Sequence, residues 1–341
     1  MSVTFGIQLC DQHPRTDEMH ERFLELIDQV RLARDIGFHT IVAGQHFLSD
    51  PLQMLQSMPV LSRLSAESGE MRFGPCILLM ALCNPVEVAE EIATLDIMTG
   101  GRTFLGAALG YRDVEFDAFA VPRKERVRRF ETNLEIAGKL LAGQRVTIDE
   151  DNCKLDDVGL SLKPVQQPRP PIWIGANSDK ALRRAARLGD TWVINPHARL
   201  DTLQRQMDEI YRPALEEFEK PFPDEIPIRR EIFVAEDRET AVREAAPWLL
   251  EKYKTYRSWG QDKALPEGDD FHEEAEELMR DRFILGSPED CIREIDRYRE
   301  QLGATEFIVR VQWPGMPNEL AMDNLRRIGE SLIPHYSRPG N

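Results

Sequence analysis

Short apolar runs alternate with amphipathic helical stretches along the whole 341-residue chain, with no low-complexity block or Pro/Ser/Gly-rich linker between them. Val3–Leu9 reads as a strand. Phe23, Leu26, Ile27, Val30 and Ala33 then recur at helical spacing, and Gly37 closes that helix. Thr40–Ala43 is a second strand, Leu52–Ser65 a helical stretch, and Met71–Met80 a third strand. Pro85 opens a helix carrying Val88, Ile92 and Leu95 on one face and ending at Gly100-Gly101. Thr103–Ala108 follows as a strand, then a helix with Val127, Phe130, Leu134, Ala137 and Leu141 on one side. Pro171–Gly175 is apolar without polar alternation, as in a strand buried on both faces. A helix over Asp179–Arg187, a strand at Thr191–Ile194, the long helix Leu200–Glu219 and a strand at Ile228–Ala235 come next. Ser287, Pro288, Glu289 and Asp290 mark a helix start, and Glu306–Gln312 and Glu319–Ile333 supply the last strand and helix.

Eight strands each followed by helix predict an α/β protein with a parallel sheet, and that number of repeats favours closure into a (β/α)8 TIM barrel. The chain is expected to form a single domain over residues 1–341. Two segments exceed what the barrel needs. The polar stretch Val146–Val158 predicts a hairpin insertion (145–160). The stretch Ala246–Asp281 is longer than a crossover helix and holds Trp248, Tyr253, Tyr256 and Trp259, so a lid-like insertion over 246–283 is expected alongside the plainer reading of an elongated helix pair.

Composition narrows the function. Acidic residues number 59 against 43 basic, a formal charge of −16, which disfavours nucleic-acid backbones and anionic membrane surfaces. No apolar run is long enough to span a bilayer, and the N-terminus lacks a secretory pattern, so a cytoplasmic location is expected. The five cysteines are scattered without a C-x-x-C pair, which argues against a disulfide framework or zinc knuckle.

Several sequence motifs are missing: a P-loop, a G-x-S-x-G elbow, and a second histidine to extend His272-Glu273 into H-E-x-x-H. Gly106–Gly110 lacks the middle glycine of a dinucleotide turn and follows the fourth strand, so it reads either as close backbone packing or as room for a flat ring. Barrel sites lie at the C-terminal ends of strands. The second strand exits into Gln45-His46, a hydrogen-bonding pair suited to proton exchange. The fifth exits into Gly175-Ala176-Asn177-Ser178 and immediately a helix, a junction that binds phosphate or simply caps the helix. Arg126, Arg128 and Arg129 are the nearest candidate cations. Trp313 reads as an aromatic wall or a core tryptophan.

Taken together, several segments resemble the bacterial luciferase-like flavin-dependent monooxygenases. They are Ala33-Arg34-Asp35-Ile36-Gly37-Phe38 with Gln45-His46-Phe47, Leu95–Arg102 followed by Gly106-x-x-x-Gly110-Tyr111-Arg112-Asp113-x-x-Phe116, Pro170–Ser178 with Ala185–Trp192, and Gly286–Asp290. These span nearly the whole chain in order. The resemblance implies a TIM barrel with reduced FMN, or in one branch a deazaflavin coenzyme, at its mouth. Gly175, Ala176, Asn177 and Ser178 would hold the phosphate, with Tyr111 and Arg126 nearby. Ile77, Leu78, Ala107 and Ala108 would pack on the ring. Where the family usually has an acid or second histidine before its second-strand histidine, this chain has Gln45, which leaves His46 as the main candidate acid/base.

The function implied is a monooxygenase that uses reduced FMN and O2 on a small organic substrate. A separate flavin reductase and a homodimeric assembly are expected, with no bound metal, nucleic acid or membrane. The alternatives are a deazaflavin-dependent hydride-transfer oxidoreductase, a non-catalytic flavin-binding protein, and a metal hydrolase barrel using His13, His46 and His197.

Overall fold

The computed structural model describes residues 3–266, 268–271 and 274–337; His272 and Glu273 lie outside them. Parallel strands at Thr4–Gln8, Thr40–Ala43, Arg72–Pro75, Leu78–Leu79, Leu105–Ala108, Ile172–Ala176, Thr191–Ile194, Pro227–Val234 and Glu306–Arg310 form one hydrogen-bonded path. The path begins at Arg72–Pro75, beside Thr40–Ala43, and ends at Leu78–Leu79, beside Leu105–Ala108. Both ends belong to one short stretch of chain, so the sheet comes round on itself as a nearly closed TIM barrel, the fold expected from the strand count.

The strand expected over Met71–Met80 is therefore divided: pairing switches neighbours at Cys76-Ile77, a cis peptide. Leu52–Ser65 is not one helix. Leu52–Met54 pairs antiparallel with Gln12–Pro14, and the helix runs only over Ser57–Leu64. Pro59 explains the late start, because proline fits the first turn of a helix and breaks an interior. The long helix from Leu200 opens into a wider π turn at Met207–Tyr211, just before Pro213, whose missing N–H cannot serve a regular ladder. A further parallel strand, Ile284–Gly286, pairs with Pro227–Val234 and was hidden by its shortness. Helix ends follow their caps: Asn84 accepts from Val86 N at 2.9 Å, and Ser287 and Asp290 form a reciprocal capping box.

Inside the barrel, Val42, Cys76, Phe104, Trp173, Val193 and Ile308 form a compact apolar layer. Phe104 and Trp173 stack with ring centroids 3.7 Å apart. They fit because Gly74 and Gly106 carry no side chain: a Cβ on Gly74 would sit 2.3 Å from Phe104 O, and one on Gly106 2.2 Å from Pro75 O. Gly106 thus serves close packing, the first of the two readings of the Gly106–Gly110 run. At the N-terminal ends of the strands, Arg72 pairs with Glu225 and lies against Trp173, closing that end. The opposite end is open.

The hairpin insertion is present as antiparallel strands Val146–Glu150 and Cys153–Val158. The expected insertion from 246 begins inside a longer helix, Arg238–Ser258, which then leads across the open end. All five cysteines are free, and Cys10, Cys76, Cys153 and Cys291 are buried.

Candidate active site

A cavity of about 850 Å³ occupies the open end. Its walls come from the exits of nearly every strand, together with Tyr256–Leu265 of the segment that crosses the mouth. This is where a barrel collects chemistry from sequence-distant residues.

His46 sits in this wall and is held from behind. Its Nδ1 lies 2.9 Å from Glu115 Oε1, and Glu115 is fully buried. The same carboxylate oxygen accepts from Phe47 N at 2.9 Å and faces Arg112 Nη1 at 3.4 Å. Arg112 in turn donates to the carbonyls of Phe47 (2.6 Å) and Leu48 (2.9 Å), so the loop after the second strand is tied to the helix Asp113–Ala118. With Nδ1–H donated to Glu115, Nε2 is the ring nitrogen left for a ligand. Gln45 also lines the cavity, but its Oε1 accepts from Leu79 N at 3.0 Å, a bond that joins second and third strands.

The predicted coenzyme residues divide by face. Ile77, Ala108, Tyr111, Arg126, Gly175, Ala176, Asn177 and Ser178 line the cavity. Leu78 and Ala107 do not; both are buried beneath it, and their neighbours Leu79 and Ala108 take the wall. The period-two alternation of strands accounts for the swap. Ile77, Ala108 and Gly175 meet at one spot: a Cβ placed on Gly175 would lie 3.5 Å from both Ala108 Cβ and Ile77 Cγ2. The result is a low platform of small groups.

At its edge the helix Asp179–Leu188 begins. Ser178 caps it, accepting from Ala181 N at 3.4 Å, and Asn177 is fixed by Asn195 Nδ2 at 2.7 Å. Of the three arginines singled out, Arg128 pairs with Glu150 and Arg129 donates to Ala81 O at 3.1 Å. Arg126 is the one in the cavity wall. It forms no ion pair among the described residues, and its Nη1 is buried without a hydrogen-bond partner. Burial, with Arg123 nearby, lowers its pKa. The Tyr111 hydroxyl is likewise buried and unpartnered, and burial raises its pKa well above the ordinary range. These orphaned donors, the uncrowded platform and the helix start fit a flat ring with an anionic tail.

Spacing did not reveal the rest of the site. Glu115 is 69 residues from His46, although its position three after Arg112 was a readable ion-pair spacing. Asp11, buried beside Gly44 N at 3.0 Å, has its carboxyl pushed up to about 6 by desolvation. Cys76 is raised to about 11 by burial and stays a thiol. Trp259 of the crossing segment donates to Asp50 O at 2.8 Å and lies under Arg112, whose Cζ is 4.3 Å from its ring centroid. Trp313 belongs to the core, donating to Glu231 Oε2 at 2.5 Å. His13 instead bonds Cys10 O at 2.8 Å, and no group of three or more acidic, histidine or cysteine side chains among the described residues could hold a metal.

Known proteins resemble this chain in sequence and fold. The luciferase-like monooxygenase family model matches residues 3–306. The flavin-dependent trigonelline monooxygenase oxygenase component of Acinetobacter baylyi is 23% identical over 330 residues, covering 92% of this chain and 89% of that one. The F420-dependent glucose-6-phosphate dehydrogenase of Nakamurella multipartita is 25% identical over 328 residues, 91% of each chain. Among solved structures, monooxygenase RslO1 from Streptomyces bottropensis superposes with a TM-score of 0.85 at 22% identity, over 98% of this chain and all of that one. The chain spans about half the length of the curated relatives it matches first. Among the described residues no helix is long and apolar enough to cross a membrane.

Proposed function

The chain belongs to the luciferase-like monooxygenase family, and from that premise we propose that it is a flavin-dependent monooxygenase using reduced FMN and O2 on a small organic substrate. One observation carries the reading: the unpaired Arg126, the unpartnered Tyr111 hydroxyl and the Ser178-capped helix start share a cavity with the platform of Ile77, Ala108 and Gly175. Arg126 and the Asn177–Ser178 turn would hold the phosphate, and the platform would carry the ring. When bound, the coenzyme supplies the redox chemistry.

The chain's own share is placement, dryness and proton handling. Glu115 orients His46 so that Nε2 exchanges a proton with the ligand beside it. The segment from Tyr256 to Leu265 covers the mouth and limits water entry. The relative from Acinetobacter is named an oxygenase component, and by analogy a separate reductase would deliver the reduced flavin here.

The relative from Nakamurella is named for F420, so the coenzyme choice is tested directly. Purified protein is titrated with FMN and with F420, then followed spectroscopically after reduction, with and without oxygen. Micromolar or tighter FMN binding with oxygen-dependent substrate turnover is expected. Selective F420 binding with oxygen-independent hydride transfer would replace this reading with the deazaflavin one, and tight flavin binding without any turnover would leave a carrier.

A further inference from the structure

We propose that the inner end of the cavity is the anion-binding half of the substrate subsite, and that Arg229, assisted by Arg310, takes the carboxylate or sulfonate of a small organic acid. The inference rests on the coenzyme reading above, because it assigns to the substrate the space the coenzyme leaves.

Arg229 is the third residue of the strand Pro227–Val234 and pairs in register with Ile308, a member of the apolar interior layer. Its guanidinium therefore starts from the floor of the cavity, one strand removed from Gly175–Ser178 and joined to Asn177 only through Asn195, which donates to Asn177 Oδ1 at 2.7 Å. Its Nε is buried without a partner. Among the described residues its one polar contact of hydrogen-bond length is Nη1 to Asn195 Oδ1 at 3.5 Å, and it forms no ion pair. Arg310, at the end of the last strand, is also buried with an unpartnered Nε, and its contacts are long: Leu9 O at 3.4 Å, Tyr256 Oη at 3.5 Å and Asp11 Oδ1 at 3.6 Å.

The acids nearby do not balance them. Glu231 is taken by Lys252, by Tyr253 Oη at 3.1 Å and by Trp313 Nε1. Among the described residues, Asp11 is the carboxylate in ion-pair reach of Arg310, and none is in ion-pair reach of Arg229. A cation withdrawn from water without a counter-ion is costly, and an anion bound between these groups removes that cost. The planar fork of a guanidinium matches a planar carboxylate or a sulfonate edge, which selects an oxyanion over a neutral amide. Leu79 and Leu109 line the same cavity and suit the hydrocarbon or aromatic body of such an acid.

The test uses FMN-loaded protein titrated with matched pairs: benzoate and benzamide, hexanoate and hexanamide, benzenesulfonate and benzenesulfonamide. Binding is read by calorimetry and by the flavin absorbance. At least one acid is expected to bind 10-fold or more tightly than its amide. Arg229→Gln should abolish the difference, Arg229→Lys should keep part of it, and FMN and riboflavin should bind all three proteins alike. Arg310→Gln serves if the thermal melt shows that the first variant has not folded. The inference is overturned if no acid is preferred, if the preference survives loss of either charge, or if Arg229→Gln weakens FMN but not riboflavin, since the arginine then serves the coenzyme's phosphate. If FMN fails to bind while the acid preference persists in coenzyme-free protein, the proposed function falls and the anion subsite stands.

Discussion

Glu115 Oε1 lies 2.9 Å from His46 Nδ1, so a buried carboxylate on the helix Asp113–Ala118 fixes a histidine that enters the cavity from the loop after the second strand. Removing the imidazole should remove proton exchange: His46→Ala is expected to lower turnover about 100-fold or more with the fold intact, the scale of general acid/base catalysis. Glu115→Gln should cost less and shift the pH profile of turnover, because the amide no longer specifies one tautomer. Substrate-dependent oxygen consumption across pH is the measurement. An unchanged profile in both variants would place the proton-transfer group elsewhere.

Arg126 stands in the cavity wall with no ion pair among the described residues and with its Nη1 buried and unpartnered. Arg126→Met should weaken FMN binding by roughly 10- to 100-fold, the equivalent of a charge-assisted hydrogen bond of about 1.5–3 kcal/mol. Riboflavin, which has no phosphate, should bind as before. Parallel titrations decide, and an equal loss for both ligands would mean that the arginine touches the ring.

Trp259 anchors the crossing segment through Asp50 O, Arg112 and a stack on Tyr256 with centroids 5.4 Å apart. Trp259→Ala should loosen residues 258–265 alone. Hydrogen exchange there is expected to quicken about 10-fold, consistent with losing one hydrogen bond and one cation–π contact, while Thr4–Gln8 and Glu306–Arg310 keep their protection. Protection unchanged in the segment would show that it is held by other contacts.

Asp11 offers a stability test. Burial raises its carboxyl to about 6 from the ordinary 3.8, so the folded protein holds this proton more tightly than the unfolded chain does. The associated stabilisation is complete below about pH 3.8 and is lost as pH rises through about 6. Asp11→Asn keeps an acceptor for Gly44 N and cannot ionise. Its stability relative to wild type should therefore rise between pH 5 and pH 8, by on the order of 1 kcal/mol. Denaturant midpoints at the two pH values suffice, and a difference that stays constant or falls would contradict the assignment.

The barrel was legible because its strands are short apolar runs bounded by helix starts and glycine stops: Thr40–Ala43 and Thr191–Ile194 match to the residue. What sequence patterns missed came from pairing. Leu52–Met54 became a strand because Gln12–Pro14 lies opposite, and the switch of partners at Cys76-Ile77 has no local sign. The site shows the same division. His46, Arg126 and Gly175–Ser178 announce themselves at strand exits and helix starts. Glu115, Arg229 and Arg310 gain meaning only once closure of the sheet brings them to one space, and the alternation that put Ala108 rather than Ala107 in the wall depends on register.

The stacked Phe104 and Trp173 rings, seated where Gly74 and Gly106 leave room, make the barrel a blind vessel with one doorway. The cavity is therefore approached from the end where Trp259 stands in its wall.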